Sequence, residues 1–439
     1  MVLIDIHRSD LSPQLSMQTV LVHPAPTPFV QQVGRALYEA NMLQWFATTF
    51  IDNSNSSLLN SLSKIIKAVK PDLDKQLSRR AVTEFPHSKV IDYPWGELSR
   101  ILISKVDKDK RPTDIVFHWA THSFDQWVAQ KGLNHAQAVY GYEYCCLETF
   151  KAAEVKGIAR IYDVPSPEHD FVENLLEEEF SQFPELQTPY RRYCRARQDE
   201  RTEHRRQEWQ RADLVIANSA FTKASYVEAG LPEEKVRVVP YGAPPIIQAV
   251  GEEKVCQSST PTSFLWAGTF SVRKGAHYLL RAWKKLNPGQ SAKLRVLGAM
   301  GLPESLLCEV PDSISLSGTV PRSELYPLYQ QADALVFPTL CDGFGMVVTE
   351  AFANGLPVIT TDRAGASDLV KHGINGLIVP AGDVDALTEA MHWCMVHPEE
   401  LRAMRQSALE TAAGWQWSDY RRTLLLNLEE GLQQAGYLL

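Results

Sequence analysis

Nowhere in the 439 residues does an apolar run approach the roughly 18 residues needed to cross a bilayer, which predicts a chain without a spanning helix. Cysteine is scarce. There are seven, an odd number, and Cys145 and Cys146 are adjacent, a spacing that rarely bridges, so a disulfide framework is excluded and buried thiols in a reducing cytoplasm are expected. No C-x-x-C or H-E-x-x-H spacing occurs, and with it goes the ordinary zinc signature. Positive charge is also short: 44 Lys and Arg against 52 Asp and Glu leave a formal net charge of -8, the wrong sign for a general nucleic-acid binder. The opening decapeptide, MVLIDIHRSD, puts acids where a secretory leader would place a basic stretch and then an apolar one, so a cytoplasmic location is expected.

What is present is globular. Apolar residues make up 44% and charged residues 22%, and 439 residues exceed one ordinary core, predicting two domains. Short apolar segments alternate with helical patterns throughout. In the first half these are TVLVHP, KVIDYP, TDIVFH, AQAVYGYE, IARIYDVP, DLVIANS and KVRVVPYG, with a helix after Thr27–Pro28, where Thr27 is placed to cap and Pro28 suits a first turn. Residues 243–262 are rich in Pro, Ser, Thr and charge and show no periodicity, the texture of a linker. The alternation then restarts with SFLWAG, KLRVLG, SISLSG, DALVFP, PVITT and GLIVP, and the chain is predicted helical from about Asp383 onward. The expectation is an α/β protein of two Rossmann-like domains facing across a cleft: residues 1–242, a linker at 243–262, residues 263–415, and a helix at 416–439 crossing back to the first domain.

Open parallel sheets bind ligands where strands end and helices begin. The segment CDGFGMVVTEAFANG is such a place: a turn of Asp342, Gly343, Phe344 and Gly345 leads into a helix near Met346. The free amides of Gly345, Met346 and Val347 and the helix dipole make an anion site there, with Glu350 one turn inside and Asp342 just outside. A capping turn with a solvated glutamate accounts for the same residues equally well when they are taken alone. A second loop, TFSVRKGAHYLL, sets Arg273 and Lys274 before Gly275 at another helix start. Cations oppose a helix N-terminus, so a phosphate partner is the reason that best places them there; a basic surface loop is the plainer account.

These segments, AGTFSVRKG and SGTVPRSELYPLYQQADALVFPTLCDGFGMVVTEAFANGLPVITTDRAGASDLVKHGINGLIVPAGDVDAL, resemble the retaining glycosyltransferases of family four, which have the GT-B fold. The resemblance is dense over 264–391 and thinner in ADLVIANSAFTKASYVEAGLPEEKVRVVPYG. It implies sugar transfer from a nucleotide donor with no cofactor and no metal. By position it implies that Lys274 and Arg273 hold a diphosphate, Gly318 to Val320 line a base through backbone contacts, Glu350 takes ribose hydroxyls, and Asp342 with the turn Phe344 to Met346 meets the donor sugar. The sequence departs from the family in places. Asp342 stands where the paired motif has glutamate, Thr269 where an arginine follows the loop glycine, and HPAPTP where paired glycines are usual. The family's histidine after a central first-domain strand corresponds to Asp163, with His169 nearby, and both are candidates for catalysis; a cap or loop-stabilising role for such an aspartate is the commoner case.

Other motifs have plainer readings. His118 and His122 after TDIVFH read as loop hydrogen-bonders. The arginines from Arg191 to Arg211 offer a face for an anionic headgroup or an acidic acceptor, but interspersed Glu200, Glu203 and Glu208 favour a salt-bridged, solvated helix; Lys64, Lys67, Lys70 and Lys75 are weighed likewise. Asp383 and Asp385 imitate a metal-binding D-x-D at a predicted helix start, where N-capping explains them. The expected partners are a nucleotide sugar and an unspecified saccharide, lipid-linked or small-molecule acceptor, not nucleic acid. An epimerase or phosphorylase on the same architecture, or a sugar-nucleotide binder without turnover, stays open.

Overall fold

Apolar strands buried on both faces and followed by amphipathic helices assemble into two parallel sheets in a computed structural model, which describes residues 17–51, 80–104, 107, 109–246 and 261–437. The first sheet runs β3-β2-β1-β4-β5-β6-β7, with β1 Thr19–Val22, β2 Leu43–Thr48, β3 Val90–Asp92, β4 Ala138–Tyr142, β5 Ala159–Val164, β6 Leu214–Ala217 and β7 Val236–Val238. The second runs β10-β9-β8-β11-β12-β13, with β8 Thr262–Ala267, β9 Ala292–Leu297, β10 Ile314–Leu316, β11 Ala334–Phe337, β12 Val358–Thr361 and β13 Gly376–Val379. Strand order reverses between β1 and β4 in one sheet and between β8 and β11 in the other. Each domain therefore has a crevice at its switch point, where the loops leaving two neighbouring strands part.

The last helix, Trp417–Gln434, returns to the first domain. Its Tyr420, Leu424, Leu428 and Leu432 repeat every fourth residue and are fully buried, the stripe a helix needs to lie on another surface. Gly431 admits Leu214 of β6, and Arg421 donates to Gln32 Oε1 (2.6 Å) on the helix Pro28–Glu39. The chain's two crossings lie side by side: Ala243 N donates to Trp415 O (2.9 Å), and the Trp415 indole donates to Pro240 O (3.1 Å). A second bridge runs the other way. The first-domain helix His169–Gln182 ends on the second domain, where Glu179 lies 2.9 Å from His277 Nε2 and accepts from the Tyr278 hydroxyl.

Several expectations change. TDIVFH is not a strand: it lies within one helix, Arg111–Lys131, which starts at Pro112 and Asp114 and leaves Ile115 and Phe117 exposed. His118 and His122 are therefore helical residues, not loop residues. β2 had no counterpart among the predicted strands. Thr27 precedes the first helix, but its side chain makes no capping bond. The arginine stretch forms two helices, Pro189–Arg195 and Gln198–Arg211, but not the solvated, internally bridged face expected. Arg206 pairs with the interspersed Glu203, whereas Arg191 and Arg201 pair with Glu173 and Asp114 of other helices and are largely shielded from solvent, because these helices pack on neighbours that supply the carboxylates. Asp383 caps its helix through Asp385 N and Ala386 N. The opening decapeptide, the Lys64–Lys75 stretch and residues 247–260 of the linker lie outside the described residues. Among the described residues, no helix is long and apolar enough to cross a membrane.

Candidate functional site

At the second domain's switch point, the loops leaving β8 and β11 are locked together. Gly275 has φ 77°, and a side chain there would meet Pro338 O at 1.8 Å, so only glycine lets the helix Ala276–Leu286 begin against the end of β11. The Arg273 carbonyl accepts from Leu340 N (2.9 Å), and its guanidinium donates to Cys341 O (2.9 Å). Arg273 and Lys274 thus reach Asp342 together, each with a nitrogen 3.7 Å from Oδ2. The Lys274 ammonium also lies 5.4 Å from the centre of the Phe337 ring, over which it is partly desolvated.

Asp342 belongs to a turn held on three sides. Its amide and carbonyl bond to Arg363 O and Gly365 N of the loop after β12. The Gly343 carbonyl accepts from Ser219 Oγ (2.6 Å) and Thr222 Oγ1 (3.2 Å) at the start of the first-domain helix Ala220–Glu228. A Cβ on Gly343 would lie 2.1 Å from Pro165 O, so first-domain backbone abuts the turn directly. Gly345, at φ 82°, opens the helix Met346–Ala353 with no side-chain cap, so the amides of Met346 and Val347 are not satisfied by a capping side chain. Met346 and Val347 are half-buried. The Phe344 ring is not in the crevice: it is 2% exposed and packs edge-on against Tyr241 of the first domain, so only its backbone is available to a ligand.

Glu350 sits one turn inside that helix and accepts from the Tyr329 hydroxyl (3.1 Å), which orients its carboxylate. Gly318 and Val320 follow β10, two strands out from β8; Gly318 takes φ 67°, and its carbonyl accepts from Gly298 N (2.7 Å). Arg273, Lys274 and Asp342 therefore come together three residues before the helix start at Gly345, while Glu350 lies one turn inside that helix and Gly318 ties the loop after β10 to Gly298.

Asp163 and His169 do not join them. Asp163 lies in β5, 1% exposed, and accepts from the Tyr140 hydroxyl (2.6 Å) beside Tyr142. Burial pushes its carboxyl up to about 7, while the two phenols pull the other way. It is an interior residue of the fold, not a residue of the cleft wall. His169 begins the helix His169–Gln182, its Nδ1 2.7 Å from Thr202 Oγ1, and burial with neighbouring Arg205 holds it down to about 3. Ser219, Thr222 and Tyr329 support the site and were not singled out by motif; the only local signal was Ser219 with Thr222 three residues on, an N-cap pattern. Among the described residues, no group of three or more His, Cys, Asp or Glu is arranged to hold a metal ion.

Two doubly wound domains facing across a cleft, closed by a returning C-terminal helix, define the GT-B fold, and solved structures agree. Sucrose-phosphate synthase from Thermosynechococcus elongatus superposes with a TM-score of 0.63 at 19% identity, covering 95% of this chain and 99% of that one. HepE of Anabaena, solved in complex with UDP-glucose, superposes at 0.60 and 16% identity over 94% and 100%. Residues 261–397 match the model for glycosyl transferases group 1. A D-inositol 3-phosphate glycosyltransferase of Nocardia farcinica is 27% identical over 49% of this chain and 52% of its own. An uncharacterized glycosyltransferase of Methanocaldococcus jannaschii is 31% identical over 36% of this chain and 44% of its own. The chain spans about half the length of the curated relatives it matches.

Proposed function

We propose that this protein is a retaining, metal-independent glycosyltransferase that moves a sugar from a nucleoside diphosphate to an acceptor hydroxyl. One observation carries the reading: Arg273 and Lys274, from the loop after β8, and Asp342, from the loop after β11, converge where the helix Met346–Ala353 begins. A diphosphate seated there faces two cations and a helix N-terminus, which supply the charge a leaving diphosphate needs. It replaces Asp342 as the partner of Lys274 and Arg273 and frees that carboxylate for hydroxyls of the transferred sugar. Glu350, steadied by Tyr329, is placed for ribose hydroxyls, and the loop with Gly318 and Val320 for the base through its backbone. HepE, solved in complex with UDP-glucose, and the relatives named as glycosyltransferases support a nucleotide-sugar donor.

Transfer on one face of the sugar, with the departing diphosphate accepting the acceptor's proton, gives retention without a side-chain base. Turnover assayed with a panel of nucleotide sugars and acceptors tests the reading. Free nucleoside diphosphate is to appear with an acceptor, the product's anomeric proton is to report the donor's configuration, and a chelator is to leave the rate unchanged. Epimerised donor, or donor consumed with inorganic phosphate alone, would replace transfer with another reaction on this architecture.

A further inference from the structure

The first domain has its own switch point, between β1 and β4, and the loop leaving β4 there is built at some cost. Tyr144 stands at φ 70°, a left-handed conformation that side chains rarely adopt and that folds retain where the residue is needed. Holding it is Glu208, a carboxylate with no exposure, which accepts from Tyr144 N (2.6 Å), Cys146 N (2.9 Å) and the Tyr162 hydroxyl (2.8 Å). The Tyr144 ring so placed lies under the Arg205 guanidinium (4.1 Å), and its hydroxyl is 2.6 Å from His118 Nδ1. His122 and His204 stack on each other at 4.7 Å, and both rings face Tyr144, at 5.7 and 4.8 Å. The Nε2 atoms of His118, His122 and His204 are shielded from solvent and make no hydrogen bond; those of His118 and His204 lie 3.5 Å from the carboxylates of Asp114 and Glu208, and that of His122 faces neither. Imidazole nitrogens shielded together without a hydrogen bond are costly unless something bonds to them.

The cluster lies within electrostatic reach of the second-domain crevice. Glu143, next to Tyr144, pairs with Arg205 on one side and feels the charge of Arg273 on the other. We propose that Tyr144, His118, His122 and His204 form the acceptor subsite, and that it takes the hydroxyls of an uncharged sugar or cyclitol and discriminates against the phosphorylated form. The name acceptor rests on the transferase reading; the binding site does not. The charges decide the class. Arg191, Arg201 and Arg205 are already paired with Glu173, Asp114 and Glu143, and Glu208 adds a carboxylate with no guanidinium of its own among these, so an added phosphate meets net negative charge. Burial and neighbouring guanidiniums hold His118 down to about 4, and burial with His204 lowers His122, so these two rings are neutral. A neutral imidazole offers one donor and one acceptor, as a hydroxyl does.

The test is binding of free monosaccharides and cyclitols, and of their monophosphates, to the full chain by ligand-observed NMR, with and without nucleoside diphosphate. At least one uncharged compound is to bind about tenfold or more tightly than its monophosphate. His122→Phe, which keeps the ring stack and removes the nitrogens, and His204→Ala are each to weaken it about tenfold, with nucleoside diphosphate affinity and unfolding temperature as controls for folding. Tighter binding of the monophosphates, unchanged affinity in folded His122→Phe, or no binding by any of the panel would overturn the proposal. Binding that behaves as expected without sugar transfer from any donor would remove the transferase reading and leave the polyol site standing.

Discussion

The two switch points of this molecule solve opposite electrostatic problems. In the second domain, Arg273 and Lys274 stand at a helix start beside a single carboxylate, an open arrangement waiting for negative charge. In the first, Arg201 and Arg205 are already paired with carboxylates, Glu208 adds one more, and the His118 and His122 rings beside them are held neutral. The same strand order thus supports a crevice for a charged leaving group and one that does without charge. Topology fixes where the ligand goes, and the side chains fix what it is.

Lys274→Ala attacks the charged side hardest. It should lower turnover by about 10²- to 10³-fold if the ammonium stabilises a departing diphosphate, and a rate near that of the wild type would sink that role. On the neutral side, Asp163 gives a pH signature. Its folded pKa is raised to about 7 from 3.8, so between those values the folded chain holds a proton the unfolded chain has released. Its contribution is complete below about pH 4 and is lost as pH rises toward 7, a fall of roughly 1.4 kcal/mol per pH unit. Asp163→Asn, which keeps an acceptor for Tyr140, should flatten that fall in urea unfolding between pH 5 and 7; an unaltered slope would mean the carboxyl is ionised in the fold.

Gly343→Ala sharpens the boundary between the two sides, because its Cβ would lie 2.1 Å from Pro165 O in the other domain. A loss of about 1–3 kcal/mol is expected from chemical unfolding, together with weaker donor binding; a variant as stable as wild type would show that the domains are not pressed together there. The smallest effect is expected from Tyr329→Phe, which removes the hydroxyl orienting Glu350 and should raise donor KM about three- to tenfold with kcat little changed. An equal fall in kcat would place Glu350 in the chemical step.

The donor crevice was legible because its parts are local. A glycine, a cation pair and an apolar helix within a dozen residues say that a strand ends and an anion-receptive helix begins, and Arg273, Lys274, Asp342 and Glu350 fell into place from such stretches. Phe344 shows where this stops, since nothing in the turn reveals that its ring faces Tyr241, about a hundred residues away. The first domain was harder to read. LQWFAT carries too little apolar periodicity to announce β2, whereas the apolar TDIVFH imitated a strand because Ile115 and Phe117 lie on the exposed side of a long helix.

Local pattern was enough to establish two α/β domains, because strand–turn–helix propensities act over a few neighbouring residues. Folding alone brought His118, Tyr144 and His204 within reach of one another, sent Asp163 inside among tyrosines, and set Gly343 against Pro165. Those juxtapositions depend on strand order and helix packing across dozens of residues, and no short stretch of chain encodes a distance of that kind.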